Sequence, residues 1–227
     1  MTYSSATNLL IQKSGAKILI PARMGSKGLP GKNRKLFEYT ANIIPKELHK
    51  ITYVSTDDPI IKEMSIISCF NVHNRANEIS QDKTSTKDVI TEFIEKYDES
   101  EITITLYLTY PERTWEDVER AILEFKQSNC KSLLCSFECE TSPYLMAYDL
   151  PNNKGKQVIS HNLYRRQDYP KCFEISHFIS IVDNKELSKL NNNLYNEETY
   201  FMKCKKKVDV DLPAHLERFN NEHKNNC

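Results

Sequence analysis

Short apolar runs alternate along the chain with stretches of helical periodicity. Four of these runs have the length and the β-branched or aromatic content of strands, and they lie at residues 16–23, 51–56, 102–108 and 132–137. The first and third are almost continuously apolar, which is typical of strands buried on both faces of a parallel sheet. The pattern predicts an α/β fold, a mainly parallel sheet flanked by helices, with its ligand site at the carboxyl ends of the strands.

Two helices are predicted between these strands, and each begins with a pattern that caps helix N-termini. Ser85 followed by Asp88 precedes one apolar face, and Thr114 followed by Asp117 precedes the other. A hydroxyl and a carboxylate at this spacing can satisfy free N–H groups of the first helical turn. Capping explains Ser85 and Asp88 fully, so we do not assign them to catalysis.

The alternation stops between residues 139 and 180, where proline, asparagine, tyrosine and arginine become frequent. Such a composition favours an extended hairpin over another strand and helix. The segment KKKVDVDLPAHLERF then predicts a further strand and a closing helix. A chain of 227 residues is long enough for one substantial core. We therefore interpret residues 1–227 as a single domain that contains this excursion.

Composition argues against several classes of function. Lys+Arg and Asp+Glu both number 31, so the chain lacks the basic excess of proteins that bind nucleic acid or anionic membranes. No stretch approaches the roughly 18 apolar residues of a membrane span, and no secretory signal is recognisable, so we expect a cytoplasmic protein. Seven cysteines without a CxxC pair indicate free thiols, and the spacing of Cys130, Cys135 and Cys139 fits no zinc pattern.

The densest chemistry follows the first strand, in PARMGSKGLPGKN at residues 21–33. Three of the five glycines in the chain lie there: Gly25, Gly28 and Gly31. Three cations accompany them: Arg23, Lys27 and Lys32. Glycines let backbone N–H groups approach a phosphate, and the cations supply charge for a triphosphate. The loop is neither a GxGxxG motif nor a Walker A motif, because Ser26 and Asn33 replace the first glycine and the metal-binding hydroxyl of the latter.

Two carboxylates near the C-terminus form a candidate metal site. In a strand, Asp209 and Asp211 of VDVD would share one face, about 6–7 Å apart, with the valines on the other. Mg²⁺ commonly takes one or two carboxylates together with substrate phosphates, and Mn²⁺ accepts similar ligands. The alternative interpretation is an amphipathic edge strand with solvated aspartates.

The loop IPARMGSKGLPGKN resembles the signature of the acylneuraminate cytidylyltransferases, or CMP-sialic acid synthetases. The segments VSTDD (54–58), RANEISQDKTST (75–86) and VDVD (208–211) follow in the order of that family, so the similarity covers about residues 16–220. It implies a Rossmann-like nucleotidyltransferase fold with a protruding dimerisation hairpin, and a homodimer. It also implies CMP transfer from CTP to a 2-keto sugar acid, such as sialic, legionaminic or pseudaminic acid, with release of pyrophosphate.

The resemblance assigns roles to individual residues. Stabilisation of phosphate charge falls to three catalytic residues: Arg23, Lys27 and Lys32. The nucleotide-binding residues would be Ala22, Arg23, Gly25, Ser26, Lys27, Asn33, Arg75 and Thr86. Asp209 and Asp211 would both hold the metal.

The departures from the family lie on the acceptor side. Tyr107 replaces a glutamine that faces the sugar, and Ser176 and His177 replace an asparagine-glycine pair. The acceptor contacts expected are Tyr107, Arg166, Gln167, His177 and Phe178. His177 either contacts a group that sialic acid lacks or is a satisfied core residue. Two alternatives stay open: transfer to a different acid or a phosphonate, and a nucleotide-binding homologue without turnover.

Overall fold

The computed structural model describes residues 3–97 and 100–224. Its strands are β1 (Ala16–Pro21), β2 (Thr52–Thr56), β3 (Asn71–Asn74), β4 (Ile102–Thr105), β5 (Ser132–Glu138), β6 (Ala147–Leu150), β7 (Lys154–Gln157), β8 (Phe173–Asp183) and β9 (Tyr200–Lys203). Its α-helices are α1 (Tyr3–Lys13), α2 (Lys32–Ala41), α3 (Pro59–Ile67), α4 (Thr86–Lys96), α5 (Trp115–Gln127) and α6 (Pro213–Lys224).

Seven strands of the described chain form one sheet in the order β3-β2-β1-β4-β8-β5-β9. Strands β1 to β4 pair in parallel, and β9 is parallel to β5. Strand β8 runs antiparallel to both of its neighbours, β4 and β5. The mainly parallel α/β sheet predicted from the sequence is therefore confirmed, with one antiparallel strand inserted among parallel ones.

Both faces of the sheet are buried under helices. Successive side chains of a strand point to opposite faces, and in β1 Leu19 packs with α4 residues while Ile18 and Ile20 pack in a second, larger cluster. That larger cluster includes apolar residues of α2 and α5. This packing confirms the prediction that the first strand is buried on both faces.

The predicted strands and helix caps agree with the structure, while the ends of several strands differ. Strands stand at all four predicted positions, although β1 and β4 end earlier than residues 23 and 108. Both capping boxes are present, with the Ser85 and Thr114 side chains each accepting from a backbone N–H of the first turn. No helix of the described residues has the length and apolar character needed to cross a membrane.

The strand predicted at VDVD is wrong. Strand β9 ends at Lys203, and residues 204–211 lie outside the sheet. Val210 is fully buried and its N–H donates to the carbonyl of Thr109 at 2.8 Å. This contact, together with burial of the valine, draws the segment across the carboxyl end of β4 instead of along the sheet edge.

The excursion is shorter than its predicted range of 139–180. It contains an antiparallel hairpin of β6 and β7, but β8 begins at Phe173 and pairs with β5 from that residue on. Residues 173–176 pair with β5 and Ser180 pairs with β4, so this end of the predicted range belongs to the main sheet.

A buried arginine connects the loop after β4 to the strand beside it. Arg113 is 2% exposed; its Nε donates to the carbonyl of Phe178 at 3.0 Å, and its Nη2 donates to the carbonyl of Tyr107 at 2.6 Å. Its guanidinium also lies 5.5 Å from the Phe178 ring. Burial lowers the pKa of Arg113 to about 10, which leaves it charged at neutral pH.

We expect Arg113→Ala to lower the free energy of unfolding by about 3 kcal/mol, because two buried carbonyls lose a charged donor. Urea denaturation followed by circular dichroism measures the loss. Arg218→Ala is the matched control, since Arg218 is exposed on α6 and forms an ion pair within its own helix; its loss should be far smaller, because an exposed ion pair contributes little to stability. Equal losses in the two variants would contradict a structural role for Arg113.

Candidate active site

The loop between β1 and α2 lies at the carboxyl end of the sheet, against the segment that carries VDVD. A Cβ atom on Gly28 would stand 2.5 Å from the carbonyl oxygen of Asp211. This is closer than real Cβ contacts, so a glycine is required where the two segments meet. The loop and the two aspartates are thus packed together, as parts of one site.

A cavity of about 430 Å³ opens beside this loop. It brings together nine of the residues that the sequence singled out: Arg23, Ser26, Lys27, Lys32, Asn33, Arg75, Thr86, Tyr107 and Asp211. Asn33 also supports the loop, because its Nδ2 donates to the carbonyl of Arg23 at 2.8 Å. The cavity is polar and cationic, as a phosphate-binding site must be.

All three predicted catalytic cations have carboxylate partners. Arg23 pairs with Asp82 at 2.8 Å, and Lys27 forms a shorter ion pair with the same carboxylate. Lys32 pairs with Asp211 at 2.5 Å. The Lys27 ammonium holds the pKa of the Asp82 carboxyl below its usual range. These carboxylates lie where oxygens of an anionic ligand would meet the same cations.

Two further aspartates, Asp57 and Asp58, directly follow β2 and support the loop and the start of α2. The sequence analysis gave neither of them a role. The backbone N–H of Met24 donates to Asp57 at 2.7 Å. Asp58 receives two hydrogen bonds from Arg34, at 2.7 and 3.0 Å, and also caps α3. The available signal was the VSTDD segment itself, which places two carboxylates directly after a strand.

A buried polar network fixes the guanidinium of Arg75. Arg75 Nε donates to Ser55 Oγ at 3.1 Å and its Nη2 donates to the Ser55 carbonyl at 3.0 Å. His73 Nδ1 lies 2.9 Å from the same Ser55 Oγ. The Ser55 hydroxyl therefore links the guanidinium to the imidazole, whose Nε2 lies 3.4 Å from Glu92. Burial lowers the pKa of His73 to about 4, so the ring is neutral at physiological pH.

The two predicted metal ligands line a second cavity of about 470 Å³, which is adjacent to the first. Oδ1 of Asp209 is buried and has no hydrogen-bond partner among the described residues. Burial, with the charge of Asp211 adding to it, raises the pKa of the Asp209 carboxyl. An unpartnered carboxylate oxygen beside a second carboxylate fits a divalent cation. No group of three or more acidic, cysteine or histidine residues surrounds such a position in the described chain, so further ligands would have to come from substrate or water.

Tyr107 and His177 meet at the second cavity, and Tyr107 also lines the first. Their rings pack edge to face, with centroids 5.6 Å apart. The Tyr107 hydroxyl hydrogen-bonds to Thr86, and burial raises the pKa of Tyr107 to about 12. His177 Nε2 lies 3.0 Å from the Asn193 carbonyl; since a carbonyl only accepts, the ring proton is on Nε2. Two residues that depart from the family pattern are thus direct neighbours.

Other predicted residues lie elsewhere. Phe178 is fully buried in the core against Tyr110, so its side chain faces neither cavity, contrary to its expected contact with the acceptor. Ala22 is also buried, and only its main chain acts, receiving a hydrogen bond from Thr56. Gly25 lies on the far side of the loop, in a smaller cavity.

Arg166 and Gln167 lie on the excursion. Arg166 lines a separate cavity of about 500 Å³ together with Tyr169 and Lys171. Neither residue lines the two cavities around Tyr107 and Asp211 within the described chain. Their predicted contact with an acceptor is not formed by the cavities of a single subunit.

Comparison with known proteins places this site in a family. An N-acylneuraminate cytidylyltransferase of Streptococcus agalactiae serotype III is 26% identical over 206 residues, which are 86% of this chain and 49% of that protein. N-acylneuraminate cytidylyltransferase A of Danio rerio is 33% identical over 100 residues, 41% of this chain and 23% of that one. The chain therefore spans about half the length of its streptococcal relatives.

Solved structures show the same fold at lower identity. A CMP:2-keto-3-deoxy-manno-octonic acid synthetase complexed with CTP has a TM-score of 0.67 and 17% identity, covering 93% of this chain and 99% of that one. The 4-diphosphocytidyl-2C-methyl-D-erythritol synthase of Anaerococcus prevotii has a TM-score of 0.63 and 13% identity, covering 97% and 100%. The fold is thus the Rossmann-like nucleotidyltransferase fold.

Similarity to a known family extends well beyond the signature loop. Residues 17–217 match the sequence model of a family described as cytidylyltransferase. The matched range contains the glycine-containing loop, the Arg75 network and both aspartates of VDVD. This chain belongs to the cytidylyltransferase family.

Proposed function

We propose that the chain transfers CMP from CTP to a 2-keto sugar acid and releases pyrophosphate. The observation that carries the proposal is the convergence of Arg23, Lys27 and Lys32 on one cavity beside Asp211, at the carboxyl end of a nucleotidyltransferase sheet. The names of the streptococcal and fish relatives, N-acylneuraminate cytidylyltransferases, support cytidylyl transfer to an acidic sugar.

In this proposal the loop binds the triphosphate. Arg23, Lys27 and Lys32 exchange their carboxylate partners for phosphate oxygens and stabilise the charge that develops as pyrophosphate leaves. The buried network keeps the Arg75 guanidinium oriented on the nucleotide side. The anomeric hydroxyl of the acceptor attacks the α-phosphorus in line, so positioning and charge neutralisation provide most of the rate.

Asp209 and Asp211 would hold Mg²⁺, or Mn²⁺ in its place. A bound divalent cation supplies Lewis-acid neutralisation of phosphate charge. The unpartnered Oδ1 of Asp209 supports this assignment. The Lys32 ammonium, now on Asp211, would then be free to meet a phosphate oxygen.

Tyr107 and His177 would shape the acceptor side. With its N–H engaged by Asn193, the His177 imidazole presents Nδ1 as a hydrogen-bond acceptor. It would therefore select a sugar acid that carries a hydroxyl or amide donor at this position. Tyr107 lines both cavities where the resemblance implies a glutamine, which supports an acceptor different from that of the usual family members.

The chain would act as a homodimer, because the excursion carries many exposed apolar side chains. They are Leu145, Met146, Tyr148, Leu150, Val158, Leu163 and Tyr164. A patch of this kind on a single chain is typical of a protein interface. Pairing two copies through it would bring the Arg166 and Gln167 of one subunit toward the acceptor side of the other.

The activity is tested by incubating the protein with CTP, Mg²⁺ and single members of a panel of sialic, legionaminic and pseudaminic acids. We expect pyrophosphate release with one acid, reduced at least about 100-fold by Asp209→Ala. Glu95→Ala, on the exposed face of α4, should retain full activity.

Pyrophosphate release only with a phosphonate or an unrelated acid would show that the acceptor is not a 2-keto sugar acid. CTP binding without release for any acceptor would contradict turnover and favour the non-catalytic homologue.

We expect Asp82→Asn to bind inorganic tripolyphosphate about two- to fivefold more tightly at low salt, because Arg23 and Lys27 lose a competing carboxylate. Isothermal titration calorimetry measures the change, which should shrink as salt rises. Glu78→Gln is the control, since Glu78 lies in the same segment and outside the ion pairs of the described residues. Weaker binding by Asp82→Asn would instead show that Asp82 holds the loop in its binding shape.

The dimer is tested by sedimentation velocity. We expect the unaltered protein to sediment as a dimer and a Tyr148→Glu, Leu150→Glu variant to dissociate, with the dimer constant weakened at least about 100-fold. Ile67→Glu is the control for adding charge to an exposed apolar position, because Ile67 is 74% exposed on α3. A monomer at all concentrations, or equal dissociation of both variants, would contradict this interface.

A further inference from the structure

Two cysteines face each other where the excursion leaves the sheet. Strands β5 and β8 pair antiparallel, and the last pair of the ladder is Glu138 opposite Phe173. Continuing that register by one residue places Cys139 opposite Cys172. Both side chains line the cavity of about 500 Å³ at the base of the excursion, which agrees with this placement.

The spacing of this pair suits a disulfide. Residues directly opposite in an antiparallel pair have Cα atoms about 4.5–5.5 Å apart. A disulfide requires roughly 4.4–6.8 Å between the same atoms. The bond can therefore form without a large movement of the backbone.

Both side chains are free, partly exposed thiols. Cys139 Sγ donates to the carbonyl of Thr141 at 2.9 Å, and Cys172 Sγ donates to the carbonyl of Pro170 at 3.4 Å. Each thiol thus donates one weak hydrogen bond to a carbonyl two residues away in the chain. Rotation about χ1 of each residue breaks these bonds and turns the sulfurs toward each other.

A second pair of thiols is less suited. Cys135 is fully buried, and it lies opposite Met202 in the β5 and β9 register, two residues before Cys204. The two thiols hydrogen-bond to each other, but a diagonal neighbour on the adjacent strand has its Cα about 7–8 Å away, beyond the disulfide range. A small oxidant would also have to enter the core to reach Cys135.

We propose that Cys139 and Cys172 form an intramolecular disulfide when the protein meets a low-molecular-weight disulfide such as glutathione disulfide. One cysteine thiolate attacks a glutathione sulfur and releases the first glutathione thiol, leaving a mixed disulfide. The second cysteine thiolate then attacks the protein sulfur of that mixed disulfide and releases the second glutathione thiol. Two protein thiols are oxidised, one glutathione disulfide is reduced, and the two protons pass to the departing thiolates.

The bond would tie the two ends of the segment from Cys139 to Cys172. That segment carries the β6 and β7 hairpin and Arg166. Oxidation therefore restrains the part of the chain that we assign to the dimer and the acceptor side, while the loop cations are untouched. The bond itself does not depend on the proposed activity.

The test uses the full-length reduced protein incubated with glutathione disulfide, alkylated and digested for peptide mass mapping. Mass mapping should show one cross-linked species, lighter by two hydrogens, that joins the peptides containing Cys139 and Cys172. Before digestion, the oxidised protein should migrate as a single chain on a non-reducing gel. Cys139→Ser and Cys172→Ser should each abolish it and carry a glutathione adduct on the remaining cysteine. Cys69→Ser and Cys130→Ser should retain it.

Limited trypsin digestion gives a second readout. Cleavage after residues of the excursion should slow at least about threefold on oxidation of the unaltered protein and stay unchanged in oxidised Cys172→Ser. Glutathione adducts on both cysteines without a cross-link, a cross-link between other cysteines, or no reaction would each overturn the proposal.

Discussion

The part of the site that we propose to bind the acceptor depends on the buried guanidinium of Arg113. It is anchored between two elements that are distant in sequence: the loop after β4, through the carbonyl of Tyr107, and β8, through the carbonyl of Phe178. Strand β8 is antiparallel to β4 and β5, and its backbone pairing with them does not position the loop after β4. Contacts outside that pairing hold this loop against β8. The same two elements carry Tyr107 and His177, whose rings pack edge to face. Arg113 therefore shapes the cavity lined by Tyr107 and His177 without contacting a ligand itself.

The cations of the site fall into two groups with different physics. Arg113 and Arg75 are buried, hydrogen-bonded to backbone and hydroxyl groups, and fixed. Arg23 and Lys27 are more exposed and paired with Asp82, an interaction worth little in water. A weak, exposed ion pair can be exchanged for a phosphate at small cost, whereas a buried one cannot. The structure thus separates the charges that build the site from those that can change partners.

The sequence predicts those parts of the structure that local pattern determines. Continuous apolar runs located the central strands, and hydroxyl and carboxylate spacing located both capping boxes. Strand β8 was missed because its residues follow a stretch rich in turn-forming side chains and its pairing is with strands far away in the chain. VDVD alternates as a strand does, but burial of Val210 and its hydrogen bond to Thr109 outweigh that pattern. Asp82 could not be assigned, because its partners lie more than fifty residues earlier.

The misplaced VDVD strand changes how the two halves of the site are connected. In a sheet edge, Asp209 and Asp211 would be positioned by ladder hydrogen bonds alone. Off the sheet, they are positioned by packing: Gly28 fits against the carbonyl of Asp211, and Lys32 pairs with its carboxylate. The loop between β1 and α2 and the proposed metal ligands are therefore packed together as one rigid unit. Tyr107 and His177 lie outside that unit, so the proposed acceptor side can change while the proposed nucleotide side keeps its geometry.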